Sequence, residues 1–143
     1  MSGRILGIDY GEKRVGVAWS DPFGVIAYPQ PFLSNGPNLL SQIKRLIEAH
    51  ALIRIVVGLP KNRFGQPTQQ TIKVETFVSS LRSQLSIPIE LINEAYSTQA
   101  ASKQLYETGK NAKNQRQIID SQAAAFFLQG YLDRMKSKNT MGE

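Results

Sequence analysis

The sequence contains no cysteine and a single histidine, His50. Cysteine nucleophiles, thiolate zinc sites, iron–sulfur clusters and disulfides are therefore excluded, and so is a metal site built from several histidines. A Ser–His–Asp triad would depend on that one histidine, which we interpret instead as a residue near the C-terminal end of a helix, where the dipole favours a basic group. Hydrolytic chemistry in this chain must therefore depend on carboxylates.

Long apolar runs are also missing. No stretch approaches the roughly 20 consecutive apolar residues that span a bilayer, and the N-terminal residues MSGRILGIDYGEKR carry charges where a signal peptide keeps its apolar segment. We therefore expect a cytoplasmic protein without membrane contact. A length of 143 residues predicts a single domain, which we expect to span 1–135, followed by a polar, disordered tail over 136–143.

Acidic residues are outnumbered by basic ones, at 11 Asp and Glu against 17 Lys and Arg, which gives a net charge of +6. This balance favours polyanionic partners, and an excess of positive charge near a carboxylate cluster is what binding of a phosphate backbone requires. Three groups of residues in predicted turns and loops supply it. We predict nucleic-acid binding by Lys13, Arg14, Lys61, Asn62, Arg63, Lys110, Lys113 and Arg116.

The order of the predicted elements indicates an α/β fold with a mixed five-stranded sheet. Apolar residues on both sides of a turn at 10–13 predict a β-hairpin, and a third strand over 24–32 contains Pro29 and Pro31, which predicts an edge position or an early end. Helical spacing and short apolar runs predict the other elements: helices over 37–50 and 69–85, strands over 53–58 and 88–93, a helix from Ser97, and a last helix over 114–135. We expect the first three strands to be antiparallel and the helices to cover both faces.

Two acidic residues, Asp9 and Glu94, follow predicted strands at the edge of the sheet where α/β folds bind ligands. Gly7 and Gly11 leave room around Asp9 for another group to approach the backbone. The alternative for Asp9 is an Asx-turn that starts the hairpin, and the alternative for Glu94 is a solvated loop acid. The residues alone leave these alternatives open.

Asp120 is the most informative acid because it lies on the apolar stripe of the last helix. That stripe continues through Ala124, Phe127, Leu128 and Tyr131. A carboxylate is costly to bury without a partner or a cation, and small neighbouring residues allow this helix to pack closely and bring Asp120 toward Asp9. Carboxylates drawn together repel, and Mg²⁺ or Mn²⁺ relieves the repulsion. Two such ions can activate water against a phosphodiester.

Four segments resemble a known family. They are ILGIDYGEKRVGVAWSDP at 5–22, IVVGLPKNRFG at 55–65, NEAYSTQAA at 93–101 and IIDSQAAAFFLQGYLD at 118–133. In this order they resemble the YqgF/RuvX family of bacterial pre-16S rRNA nucleases, which is related to the RuvC Holliday junction resolvases. The resemblance implies an RNase H-like fold and a metal-dependent nuclease that acts on structured RNA in ribosome maturation. It also implies that Asp9, Glu94 and Asp120 are catalytic carboxylates that bind Mg²⁺ or Mn²⁺.

The sequence departs from the family at its Asp-Glu-Arg motif, which reads Asn93-Glu94-Ala95 here. The loss of a carboxylate and a guanidinium leaves open a weaker metal site and a missing phosphate contact. Alternative functions are a non-catalytic nucleic-acid-binding module of the same fold and a Holliday junction resolvase that acts on DNA. A phosphotransferase of the actin and sugar-kinase type also uses a strand-end Asp-x-Gly, but it needs two duplicated domains, and this chain has the length of one.

Overall fold

The computed structural model describes residues 3–59, 68–93 and 112–141, with the backbone alone at residues 93, 112–120 and 137–141. The elements follow the predicted order along the chain. They are β1 (Arg4–Asp9), β2 (Arg14–Ser20), β3 (Ala27–Ser34), α1 (Leu39–His50), β4 (Leu52–Leu59), α2 (Gln69–Gln84), β5 (Ile89–Asn93) and α3 (Ala112–Met141).

A single mixed sheet of five strands organises this part of the chain, in the order β3-β2-β1-β4-β5. β2 is antiparallel to both β1 and β3, whereas β4 runs parallel to β1 and β5 runs parallel to β4. The predicted mixed sheet with an antiparallel start is therefore confirmed. β1 is the central strand, which places its C-terminal residue, Asp9, in the middle of one edge.

Helices cover both faces of the sheet, as predicted. Leu6 and Ile8 of β1 pack on one face with apolar residues that α1 and α2 present at helical spacing, among them Ile43 and Val78. Ile5 belongs to the other face, which α3 covers. Alternation along β1 therefore puts Ile5, Gly7 and Asp9 on the side of α3.

β3 is an edge strand, as its prolines predicted. Pro29 pairs with Ala18 of β2, and the register between the two strands shifts between Val15 and Val17. Proline has no backbone N–H and is confined to edge strands and bulges. The prolines of β3 therefore agree with its position at the sheet's margin and with the irregular pairing.

The ends of the elements differ from the predictions in a few places. α3 continues to Met141 rather than ending at Met135, so the polar tail predicted from Lys136 begins inside this helix. Polar residues at the end of a helix show no apolar spacing, so the sequence pattern does not indicate where such a helix ends. The helix predicted from Ser97 lies outside the described residues. Among those described, none of the helices combines the length and the apolar character needed to cross a membrane.

Candidate active site

Three parallel strands end at the same edge of the sheet and align the residues of the candidate site. Ile8 of β1 is level with Val57 of β4, so Asp9 is level with Gly58, and Gly58 pairs with Ile92 of β5. Two strand spacings of about 4.8 Å put the Asp9 and Ile92 backbones about 10 Å apart. Gly58, between them, has no side chain to fill that space. The predicted ligand Glu94 follows β5 directly and lies outside the described residues.

Close packing of α3 against β1 determines which helical position is nearest Asp9. A Cβ atom at Gly7 would lie 3.0 Å from the Leu128 Cβ atom and 3.2 Å from the Ala124 carbonyl oxygen. Glycine at this position therefore allows the helix to approach. The helix runs antiparallel to β1, because Leu132 lies near the N-terminal end of that strand. Asp120 is one turn before Ala124, and Asp9 is two residues after Gly7, so both backbone positions advance by similar distances along the same face.

Ser121 fixes the same end of α3 to the sheet. Its side chain is fully buried, and its Oγ accepts a hydrogen bond of 3.0 Å from the backbone N–H of Val17. Gly16, next to Val17, pairs with Asp9 across the β1–β2 hairpin. The residue after Asp120 is thus bonded to the residue after the partner of Asp9, which brings the two predicted carboxylate positions to one corner of the fold.

The turn that follows Asp9 is held by side chains from two other elements. A side chain at Gly11 would collide with the carbonyl oxygen of Arg14. The Asn35 Nδ2 donates to the Gly11 carbonyl oxygen at 2.7 Å, and the Gln70 Nε2 donates to the Tyr10 carbonyl oxygen at 2.9 Å. These bonds join the end of β3 and α2 to the turn. Asp9 therefore stands at the start of a braced hairpin turn.

The charges around this turn are basic on its exposed side. Lys13 and Arg14 are both exposed, and the Arg14 guanidinium lies over the Phe32 ring, 5.2 Å from its centroid. Glu12 is paired with Lys73 of α2. The hydrogen bond and the positive charge of Lys73 lower the pKa of Glu12 below its ordinary value. Glu12 is therefore a carboxylate paired with a cation of α2, and the positive charge of Lys13 also contributes to its lowered pKa.

The structure does not describe the side chains of several predicted site residues. Lys61, Asn62, Arg63, Glu94 and Lys110 lie outside the described residues, and for Lys113, Arg116 and Asp120 the structure gives the helical backbone only. Asp9, Lys13 and Arg14 do lie together at one edge. Tyr10, in the turn after Asp9, stacks on Phe77, with 4.4 Å between the ring centroids.

Sequence reasoning missed the polar residues that brace the site. The sequence pattern shows Ser121 only as a small residue that permits close packing, and it does not single out Asn35 or Gln70. Each bonds a backbone group far away in the chain, and such contacts follow no period in the sequence. The position of Ser121 on the helix, next to Asp120, was the one usable signal.

The donor set that the fold can assemble here consists of oxygen atoms. Among the side chains that the structure describes, no three acidic or histidine residues lie together in a way that could hold a metal ion. Asp9 supplies one half-buried carboxylate at the strand end, and position 120 lies on the facing helix. Carboxylate oxygens suit hard divalent cations such as Mg²⁺ and Mn²⁺. The residues present at this corner are therefore compatible with such an ion.

Comparison with known proteins shows the family of this chain. The family model described as RuvX, Holliday junction resolvase, matches residues 3–134. The chain belongs to this family. A protein of Sulfurihydrogenibium sp. (strain YO3AOP1) named "Putative pre-16S rRNA nuclease" is 41% identical over 138 residues, which cover 95% of this chain and 94% of that protein. A protein of the same name from Desulfitobacterium hafniense (strain DSM 10664 / DCB-2) is 35% identical over 136 residues, covering 95% and 96%.

Solved structures place the RuvX family chain within a wider fold group. RuvC of T. thermophilus in complex with a Holliday junction substrate matches with a TM-score of 0.57 at 12% identity, covering 93% of this chain and 96% of RuvC. The yeast mitochondrial Holliday junction resolvase Ydc2 matches with a TM-score of 0.52 at 11% identity, covering 92% and 78%. At these identities the likeness concerns the fold alone. The predicted RNase H-like fold is therefore confirmed.

Proposed function

We propose that this protein is a metal-dependent nuclease that hydrolyses phosphodiester bonds in structured RNA and processes the 5′ end of pre-16S rRNA in the cytoplasm. The observation that carries the proposal is the corner where β1 and α3 meet. There Asp9 ends the central strand, and Ser121 bonds the backbone next to the Asp9 partner. The names of the relatives at 35–41% identity support pre-16S rRNA as the substrate.

In the proposed site, Asp9, Asp120 and Glu94 hold one or two Mg²⁺ or Mn²⁺ ions. Such ions, when bound, activate water and stabilise the leaving oxygen of the phosphodiester. Ile92, two residues before Glu94, packs on the α3 face of the sheet, and Gly58, which has no side chain, lies between Ile92 and Asp9 on the neighbouring strand. The carboxylates orient the ions, and the basic residues Lys13 and Arg14 beside the turn hold the phosphate backbone.

Cleavage of RNA tests this function directly. A labelled RNA that spans the junction between the 5′ leader and 16S rRNA is incubated with the protein and Mg²⁺ or Mn²⁺. We expect cleavage by the wild type and none by Asp9→Asn or Asp120→Asn, because each change removes a negative charge that the ions require. Asp133→Asn is the matched control, since Asp133 is an exposed carboxylate of the same helix. Full activity in Asp9→Asn would contradict the shared metal site.

A second candidate function is a nucleic-acid-binding module without activity, which the residues Asn93 and Ala95 favour. Binding of the same RNA by the wild type without cleavage would support it. Asn93→Asp would then restore a carboxylate near the ions and Ala95→Arg a guanidinium for the phosphate. If the wild type is a weakened nuclease, Asn93→Asp should lower the metal concentration needed for half-maximal cleavage. A four-way DNA junction in a parallel assay distinguishes a resolvase from an RNA nuclease.

A further inference from the structure

A groove lies at the end of the sheet opposite Asp9. It has a volume of about 740 Å³ and is bounded by the starts of β1 and β4, the loop after β2 and the C-terminal part of α3. Its walls are mostly apolar, with contributions from Phe23, Val25, Ile53, Leu132 and Met135. Nothing in the proposed nuclease reaction uses this end of the molecule. The groove is therefore free to serve a separate role.

Exposed apolar side chains concentrate around this groove. Phe23 is 83% exposed, and Val25, Ile53 and Met135 on the walls are exposed as well. A contiguous apolar patch on the surface of a folded protein marks an interaction surface more often than chance.

The loop that carries Phe23 is held rigidly. One carboxylate oxygen of Asp21 accepts hydrogen bonds from the N–H groups of Val25 at 2.7 Å and Ile26 at 2.8 Å, and the other accepts from Phe23 at 3.1 Å. Gly24 has a φ of 71°, which favours glycine. Gln129 of α3 donates to the Val25 carbonyl oxygen at 2.8 Å. Phe23 is thus presented to solvent by a preorganised turn, and an anchor that is already ordered loses little entropy on binding.

The polar groups of the groove are basic. The Arg54 guanidinium donates to the Tyr131 hydroxyl at 2.8 Å and forms an ion pair with the Glu90 carboxylate at 3.8 Å. The hydrogen bond with Tyr131 raises the pKa of Arg54, against the effect of its burial. Lys136 adds a second positive charge to the lining. An occupant that complements these charges is acidic.

The charges also argue against two other occupants. A second copy of this chain would bring an equal net charge of +6 and the same basic lining across a twofold interface. A nucleic acid would be attracted by the charge, but its bases stack on aromatic faces, and most of these walls are aliphatic. Aliphatic walls with a protruding aromatic side chain fit the apolar anchors of a polypeptide.

We propose that this groove docks a segment of another protein in which an aromatic or aliphatic anchor is flanked by aspartate or glutamate. Phe23 and the apolar walls bury the anchor, and Arg54 and Lys136 face the acidic flanks. The nuclease edge at Asp9 remains open, because the groove lies at the other end of β1. Docking therefore brings the protein to a partner without occupying the proposed catalytic corner.

Selection from a random peptide library displayed on phage tests the proposal with the full-length protein as the target. We expect the enriched peptides to share an apolar anchor flanked by acidic residues. Phe23→Ser should weaken the binding of a synthesised enriched peptide by at least about tenfold, since buried aromatic anchors dominate interfaces. Ile72→Ser is the matched control, because Ile72 is an exposed apolar residue on α2, 61% exposed. It should leave the affinity within about twofold of wild type.

Charge and activity complete the test. Lys136→Glu should weaken the binding of the same peptide. A peptide with lysines in place of its acidic residues should bind the wild type less tightly. Phe23→Ser should leave RNA cleavage unchanged, so that failure of docking and failure of the nuclease proposal are distinguishable. The proposal is overturned if no peptides are enriched, if they are basic, or if they bind Phe23→Ser as tightly as wild type. It is also overturned if the wild type dimerises and Phe23→Ser does not, because the groove would then bind a second copy. The same holds if a single-stranded RNA binds more weakly to Phe23→Ser than to the wild type and to Ile72→Ser.

Discussion

Ser121 and Val17 are joined by a hydrogen bond across 104 residues of chain, from the Val17 backbone N–H to the Ser121 Oγ. The bond links α3 to β2 at the level where β2 pairs with the end of β1. Because Asp120 precedes Ser121, this contact sets the distance between the helix and the strand end that carries Asp9. One serine thus bonds the helix to the sheet beside the proposed metal site.

Removing that hydroxyl should destabilise the protein. In Ser121→Ala the buried N–H of Val17 loses its side-chain acceptor, and we expect the free energy of unfolding to fall by about 1–3 kcal/mol. Urea unfolding measures the change. Ser83→Ala is the control, since Ser83 is an exposed helical serine bonded only locally to the Ser80 carbonyl oxygen, and its effect should stay within about 0.5 kcal/mol. Equal stability of Ser121→Ala and wild type would refute the role of the bond.

A methyl group at Gly7 should separate α3 from β1. In Gly7→Ala the new Cβ meets the Leu128 Cβ atom and the Ala124 carbonyl oxygen, and we expect a loss of about 1–3 kcal/mol from overpacking. The metal concentration for half-maximal RNA cleavage should also rise, because position 120 moves away from Asp9. Gly36→Ala is the matched control, since a Cβ there meets no atom within 4 Å. A Gly7→Ala protein with wild-type stability and metal dependence would contradict the close approach.

Two pairs of basic residues should differ in their effect on RNA binding. We expect Lys113→Ala/Arg116→Ala to reduce the slope of log K against log salt by about 0.7–0.9 for each phosphate that the protein no longer neutralises, with a further decrease when Lys110→Ala is added. Lys44→Ala/Arg45→Ala removes the same charge from exposed positions on α1 and should leave the slope unchanged. Equal slopes for the two double variants would place the RNA elsewhere.

The Asp21 carboxylate, which orders the turn that carries Phe23, should contribute less to the free energy of unfolding at acidic pH. Burial acts to raise the pKa of Asp21, but the backbone N–H groups of Ile26, Val25 and Phe23 outweigh it and hold the pKa below its ordinary value of 3.8. A carboxyl group with a lowered folded pKa stabilises the protein above its unfolded pKa, and this contribution is lost as the pH falls through the folded pKa. Wild type should therefore exceed Asp21→Asn in unfolding free energy at neutral pH, and the difference should shrink below about pH 3.8. A difference independent of pH would contradict this.

Periodicity in the sequence was sufficient for the framework but not for the polar contacts. The stripe from Ala124 to Tyr131 predicted the buried face of α3, and Pro29 predicted an edge position for β3. Both signals, the spacing of apolar residues and the missing N–H of proline, can be read from a short stretch of sequence. Ser121 bonds a residue 104 positions away, and no local pattern specifies such a partner. The exposure of Phe23 has no local signal in the sequence either, since the Asp21 bonds that order its turn form only in the folded protein.

The same prolines affect how this protein behaves at high concentration. An open sheet edge is a template on which strands of other molecules add through backbone hydrogen bonds, and this is a route to aggregation. Pro29 and Pro31 deprive the β3 margin of two donors, and at the other margin β5 is short and carries the exposed charge of Glu90. In the part of the chain that the structure describes, the β3 margin contains two prolines and the β5 margin is short, and both features disfavour the addition of further strands.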